Sequence, residues 1–418
     1  MTRAHFARRE AHPLRGDPVQ HAPVHTTPAA ALSQSLVLVF ALACGLSVAN
    51  IYFAFPLLDA MARDFSIAPG AIGMVVTMTQ IGYALGLVLI VPLGDLLDRR
   101  WLVASQTALS ALALLAVGLA PSAFVLMAAM IVVGLLAVVV QVLVAFAASL
   151  AKPAERGRVV GSVTSGVVIG ILLARFVSGV LADLGGWRSV YLCSAALMLV
   201  MAGLLLRMLP HQPRAAAASS YLKLIGSLVT LFREEPVLRA RAVLALLIFA
   251  SFNVLWAPLA LPLASPPLSL SKTAIGLFGL AGLAGALAAG RAGRLADRGL
   301  AQWTTGISLA LMLAAWLPIA LLHSSLWALA AGVVLIDLAI QAVHVTNQSL
   351  IFAVRPDARS RLVAGYMVFY SIGSASGAIA STSVYATAGW TGVCGLGAGI
   401  ALLALLFWAA TWRRAMRT

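Results

Sequence analysis

Long apolar runs separated by short charged stretches set the rhythm of this chain. A membrane crossing needs about 20 predominantly apolar residues, and twelve runs meet that length: 33–58, 70–93, 101–120, 122–148, 159–182, 187–209, 239–263, 272–292, 301–321, 325–353, 362–385 and 389–412. The chain is 62% hydrophobic and only 10% charged, far too apolar to fold in water around one core. The pattern predicts an all-α membrane protein of twelve transmembrane helices.

The pattern also repeats. Gly94-Asp95-Leu96-Leu97-Asp98-Arg99-Arg100 joins the second and third runs, and Gly293-Arg294-Leu295-Ala296-Asp297-Arg298-Gly299 joins the eighth and ninth. Asn50 and Asn253 correspond in the first and seventh runs, and Lys152–Arg158 corresponds to Arg355–Arg361 at the same offset. The two hinges are closer by about one helical turn, so helix faces stay in register. Two pseudo-symmetric six-helix bundles follow, 32–209 and 239–412, with tails at 1–31 and 413–418. Between them, 210–238 carries Tyr221, Leu222, Ile225, Leu228, Val229 and Phe232 at helical spacing, which predicts an amphipathic linker helix on the membrane surface.

Charge orients the bundles. Most of the 28 Lys and Arg residues lie in the tails, the linker, the hinges and their sister loops, while the opposite side holds only Arg63, Arg188 and Lys272. Both termini and the hinges are therefore expected in the cytoplasm, in a bacterial inner membrane. The net charge of +15 punctuates apolar runs instead of clustering on one domain, which argues against a nucleic-acid partner. Residues 1–31 carry four histidines (His5, His12, His21, His25) and several prolines, and read as a disordered tail without metal-ligand spacing. Cys44, Cys193 and Cys394 lie inside apolar runs and read as packing residues, not disulfides. No phosphate loop, zinc cluster or nucleophile elbow is present, so neither an enzyme nor a cofactor is expected. Any driving energy comes from a gradient.

The hinges resemble the G-x-L-x-D-R motif of the major facilitator superfamily, and Ala49-Asn50-Ile51-Tyr52-Phe53-Ala54-Phe55-Pro56 is similar to the first helix of its drug and sugar efflux permeases. The resemblance covers residues 32–412. It implies a twelve-helix fold, alternating access about a cavity lined by helices 1, 4, 7 and 10, and proton antiport. Two features of that branch are missing: the fourth run has Gln141 but no arginine, and the fifth has Gly166, Gly170 and Arg175 but no proline.

Polar residues inside the runs mark the candidate path, because an unpaired polar group is costly there. Asn50, Gln141, Asn253 and Asp337 lie in the four cavity helices. Asp337, Gln341, His344 and Gln348 fall within roughly 60° on a helical wheel, a stripe suited to water or substrate. Asp337 is the expected proton carrier, with His344 as relay or second site. Arg175 has three readings: a hold on an anionic group, an ion pair, or snorkelling near the outer leaflet. Tyr52, Trp256, Tyr366 and Tyr370 are expected cavity aromatics.

Gly94, Asp98, Arg99, Gly293, Asp297 and Arg298 form the expected gate. Asp98 would meet the eleventh helix near Arg361, and Asp297 the fifth near Arg158, when the cytoplasmic side closes. The small residues Ser162, Gly166, Gly170, Ala174, Ser178 and Ala182, echoed at Gly373, Gly377 and Ser381, allow close backbone packing: these helices are expected to meet the opposite bundle, with packing inside each bundle as the alternative reading of the stripes. The functional expectation is a monomer that exports a small organic solute in exchange for protons. The alternatives are an organic-anion symporter or facilitator using Arg175, and a membrane sensor without transport.

Overall fold

Inside a bilayer no water is available to bond backbone amides, so each apolar run must satisfy its own hydrogen bonds as a helix. The computed structural model shows that outcome for residues 33–152, 155–211, 221–355 and 359–415, apart from the side chains of 95, 222–224, 283–293, 296–297, 359–360 and 413–415. The first span is Gln34–Tyr52, continued by short turns to Asp64. The second is Met74–Leu89 with Val91–Asp95, the third Arg99–Gly118, and the fourth Ala123–Ala137 with Val139–Leu150. Arg156–Met208 holds the fifth and sixth. The seventh is Pro236–Trp256 with Ala260–Ala264, the eighth Lys272–Leu295, the ninth Ala301–Ala320 and the tenth Leu326–Val354. Arg359–Ala415 holds the eleventh and twelfth. Among the described residues, nine helices are long and apolar enough to cross a membrane. Two of these are each a pair of spans, which together with the eighth accounts for all twelve.

The paired spans divide at Gly186 (φ 77°) and Gly389 (φ 62°), where a left-handed backbone turn reverses the chain. A tryptophan follows each glycine. Trp187 donates from Nε1 to Asp64 Oδ2 (3.1 Å), and Trp390 donates to the Ile319 carbonyl (3.0 Å). The Gly-Trp turn is thus duplicated along with the hinges, while its two tryptophans bond different partners.

Packing decides between the two readings of the small-residue stripes. Gly166 and Gly170 lie against the backbone of Ala41 and Gly45 in the first span, and Gly373 and Gly377 against Leu246 and Ala250 in the seventh. Each stripe serves its own half. The fifth span meets the opposite half on the neighbouring face, where Gly179 lies against Lys272, and Gly276 and Gly279 of the eighth against Arg175. The second span meets the eleventh at Gly73 and Ala378.

The linker helix forms over Tyr221–Glu234. Tyr221 Oη donates to the Leu89 carbonyl of the second span (2.8 Å), and Phe232 stacks on Phe369 of the eleventh at 5.1 Å. It therefore touches both halves. Arg241, near the start of the seventh run, is buried in the seventh span, with Nη1 3.3 Å from Asn347 Oδ1 and 3.5 Å from Thr305 Oγ1. The three cysteines are free, with Cys44 and Cys394 buried and Cys193 exposed.

Candidate functional site

The halves are sealed on the side away from the hinges. Asp183, just beyond the fifth span, accepts from Lys272 N (3.2 Å), Lys272 Nζ (3.4 Å), Thr273 N (2.8 Å) and Thr273 Oγ1 (2.7 Å) at the start of the eighth. Partial burial alone would raise the Asp183 pKa. The Thr273 and Lys272 hydrogen bonds and the Lys272 charge outweigh it and hold the carboxyl below its ordinary range. Thr77 Oγ1 donates to Ala375 O (2.9 Å) and Thr382 Oγ1 to Gly70 O (3.1 Å), closing the second span onto the eleventh. Toward the hinges the same faces open. Along the fifth span Arg175 and Leu172 are buried, Ile171 and Val168 half-buried, and Thr164 and Gly161 exposed. Along the tenth, Asp337 is buried while Gln341, His344 and Gln348 are half-buried.

At the closed end of this path Arg175 and Asp337, from opposite halves, line one cavity of about 40 Å³ with Tyr52, Phe252, Gly282 and Gln341. Arg175 is 2% exposed, and its guanidinium lies 3.7 Å from the Trp256 ring centre and 5.1–5.3 Å from Tyr52, Phe55 and Phe252. This excludes the snorkelling reading: the charge is enclosed by ring faces, which attract cations. Asp337 Oδ1 accepts from Trp256 Nε1 (3.3 Å), and Oδ2 packs against Gly282. Among the described residues the two charges form no ion pair within 4.0 Å, and Arg175 Nε and Nη2 have no hydrogen-bond partner.

The other expected site residues divide into two groups. Tyr52 and Tyr370 join across the halves, Oη to Oη at 3.0 Å, and Tyr83 stacks edge-on to Tyr370 at 6.3 Å. Gln141 Nε2 donates to Tyr83 Oη (3.3 Å), so it reaches the centre through a residue the sequence did not single out. His344 meets Tyr366 Oη through Nδ1 (2.9 Å) and Gln348 Nε2 through Nε2 (3.2 Å). With the Gln348 amide donating, the neutral ring carries its proton on Nδ1. Both ring nitrogens are thus engaged, one turn or more from the central cavity.

Asn50 and Asn253 lie elsewhere. Ser194 Oγ donates to Asn50 Oδ1 (2.7 Å) inside the first half, and Asn253 Nδ2 donates to Phe249 O (3.1 Å) on its own helix. Neither lines the central cavity. A larger recess, about 700 Å³, lies between the first, fifth and sixth spans among exposed Leu38, Leu42, Ile169 and Leu197. Its walls are mainly apolar, with Glu155 and Arg158 also lining it, whereas the small central cavity brings together Arg175 and Asp337 from opposite halves.

At the hinge, Asp98 caps the third span by accepting from Arg100 N (3.0 Å) and meets His211 Nδ1 at 2.8 Å. Arg99 Nε donates to Gly94 O (2.8 Å), tying the third span to the end of the second. Gly94 faces Val142 of the fourth span closely enough that a Cβ would sit 3.4 Å from it. In the second hinge Arg298 is exposed and Gly299 takes φ 80°, while the surroundings of Gly293 and the side chain of Asp297 lie outside what is described.

Comparison with known proteins agrees with this geometry. A family model described as Major Facilitator Superfamily matches residues 40–353 and 242–417. The uncharacterized transporter YgaY of Escherichia coli O157:H7 is 47% identical over 388 residues, covering 93% of this chain and 98% of its own. The "Probable transporter SCO4007" of Streptomyces coelicolor is 32% identical over 395 residues, 93% of this chain and 90% of its own. Among solved structures, an inward-facing, unoccupied bacterial homologue of the human lysosomal transporter Spinster aligns with a TM-score of 0.74 at 16% identity, covering 90% of this chain and 95% of that one. A point mutant of the nucleoside transporter NupG gives 0.70 at 15%, covering 90% and 99%. At such identities a structural likeness speaks for the fold alone. The family match, the relative at 47% identity and the duplicated six-helix halves around a charged central cavity show that this chain belongs to the major facilitator superfamily.

Proposed function

We propose that this chain is a proton-coupled secondary transporter of a small organic solute, working by alternating access in a bacterial inner membrane. The hinges and both termini face the cytoplasm in this reading, so the conformation described is the inward-open one. The carrying observation is the meeting of Asp337 and Arg175 in one closed cavity, each contributed by a different half. Buried charges at membrane depth mark ion or substrate pathways. A carboxylate there that is not locked into an ion pair is free to exchange a proton as the halves rock. His344, on the hinge-side stretch of the same helix, is the relay.

The family resemblance favours export in exchange for protons. Movement of an organic anion is the second reading, favoured by the unpartnered Arg175 donors. Everted vesicles with an imposed proton gradient and a pH-reporting dye separate the cases when challenged with organic cations, sugars and organic acids. A transported solute is expected to alter the gradient with the natural chain and not with Asp337→Asn, which retains gradient-independent solute exchange. Natural proton flux in Asp337→Asn defeats the assignment of the carrier. No response to any solute class leaves the sensor reading.

A further inference from the structure

We propose that Arg175 holds the far-side closure under tension: its guanidinium is dehydrated between the halves in this conformation and regains water when they part, which drives the chain toward the outward-open state. The inference rests on the alternating-access reading above and names the residue that makes the seal yield.

Arg175 stands where the halves meet. Its backbone lies against Gly276 and its side-chain stem against Gly279, both of the eighth span. The guanidinium lies 3.7 Å from the ring centre of Trp256 and 5.3 Å from that of Phe252, both of the seventh span, and 5.1 Å from Tyr52 and Phe55 of its own half. The residue borders the central cavity and also a cleft of about 10 Å³ with Pro56, Leu259 and Ile275, toward the far side. Arg175 is 2% exposed, and among the described residues its Nε and Nη2 have neither a hydrogen-bond partner nor surface open to water. Asp337 shares the cavity, yet no described carboxylate comes within 4.0 Å of the guanidinium. Neither water nor solute reaches those two nitrogens until the halves move.

The sign of the effect follows from what parting the halves takes away and gives back. Tyr52 and Phe55 travel with Arg175, so only the Trp256 and Phe252 faces are lost. Each face favours closure by about 5- to 30-fold. Each unbonded N–H of a charged group opposes closure by up to about 150-fold, and withdrawing the ion from water adds to that. Dehydration therefore outweighs the two rings. The Asp183 hydrogen bonds pull the other way, holding the surface shut over a cation that gains by opening. The rings of the seventh span reduce the tension without removing it.

The test is labelling of Leu172→Cys in the full chain, without its natural cysteines, in proteoliposomes at fixed pH, with an impermeant maleimide added from either side. Arg175→Met keeps a stem against Gly279 and removes the charge. It should slow far-side labelling at least about tenfold, the worth of one unbonded charged donor, with hinge-side labelling at least as fast as before. Arg175→Lys keeps a charge that is more strongly hydrated and should speed far-side labelling instead. Opposite signs for these two replacements are not the mark of a packing residue. Trp256→Leu strips the closest ring and should also speed it, while Trp256→Phe, which returns a ring without the N–H that serves Asp337, should largely restore the natural rate. Far-side labelling of Arg175→Met at or above the natural rate overturns the tension, as does Arg175→Lys labelling no faster than the natural chain, so the test does not hang on one variant folding. Equal rates in Trp256→Leu and Trp256→Phe overturn the part given to the rings. Because labelling needs no gradient, the expected signs in a chain that moves no solute keep the tension and lose the transport reading, and natural labelling with transport intact does the reverse.

Discussion

Replacing Asp183 by alanine tests whether the far-side seal sets the resting conformation. Asp183 accepts four hydrogen bonds from the first residues of the eighth span, all across the interface between the halves. Its donors regain water when the seal opens, so each backbone or hydroxyl bond is worth only about 0.5–1.5 kcal/mol net, and the exposed Lys272 pair less than about 1. Discounted for solvent, about 2 kcal/mol favours the closed seal, or a roughly 30-fold change in the open-to-closed ratio on its loss. The assay is labelling of Leu172→Cys, a buried cavity position, in a cysteine-free background by an impermeant maleimide added from the far side. Asp183→Ala should raise the rate roughly 30-fold by that estimate. Asp64→Asn, whose carboxylate serves Arg188 and Trp187 within the first half, should leave it unchanged. An unaltered rate in Asp183→Ala refutes the seal. The pH sign follows from the lowered pKa of Asp183: its contribution is complete above the ordinary carboxylate range and is lost only as pH falls through the lowered value. Labelling attributable to this contact should therefore be flat from pH 8 to pH 5.

Three further outcomes are expected. Gly282→Ala puts a methyl group into Asp337 Oδ2, at an overpacking cost of about 1–3 kcal/mol, so proton-coupled transport should fall sharply while expression persists; unimpaired transport would show that the cavity is not used. Arg241→Met leaves buried Asn347 without its donor and should lower stability by about 1–3 kcal/mol, read as thermal unfolding in detergent. Asp98→Ala removes the cap of the third span, costing about 1 kcal/mol, and should increase labelling of hinge-side cavity cysteines. A fall in unfolding temperature with unchanged labelling would reduce Asp98 to a helix cap.

The count of spans, their pairing into halves and the depth of Asp337 were legible without coordinates, because a bilayer imposes a length and a polarity rule that act along the chain. The turns at Gly186 and Gly389 were missed, although each is a Gly-Trp pair repeated at the offset that relates Asn50 to Asn253. The partners of Arg241 were not legible either. It falls inside the seventh run, 239–263, and only its contacts with Asn347 and Thr305 reveal what it serves. Asn50 and Asn253 looked like cavity residues because their helices line the path, yet Asn50 bonds Ser194 inside its own half and Asn253 bonds only the Phe249 carbonyl of its own helix.

What the linear chain determined, then, is the solvent it folds in, the number of crossings and the duplication, all consequences of local composition and period. Tertiary structure alone decided which buried charges meet. Arg175 and Asp337 stand far apart in sequence on halves that the repeat does not relate to each other at those positions. Their common cavity arises from how glycine-lined faces let the fifth and eighth spans close together. Helix propensity and hydropathy constrain each span separately, whereas that approach depends on side chains from both halves fitting at once.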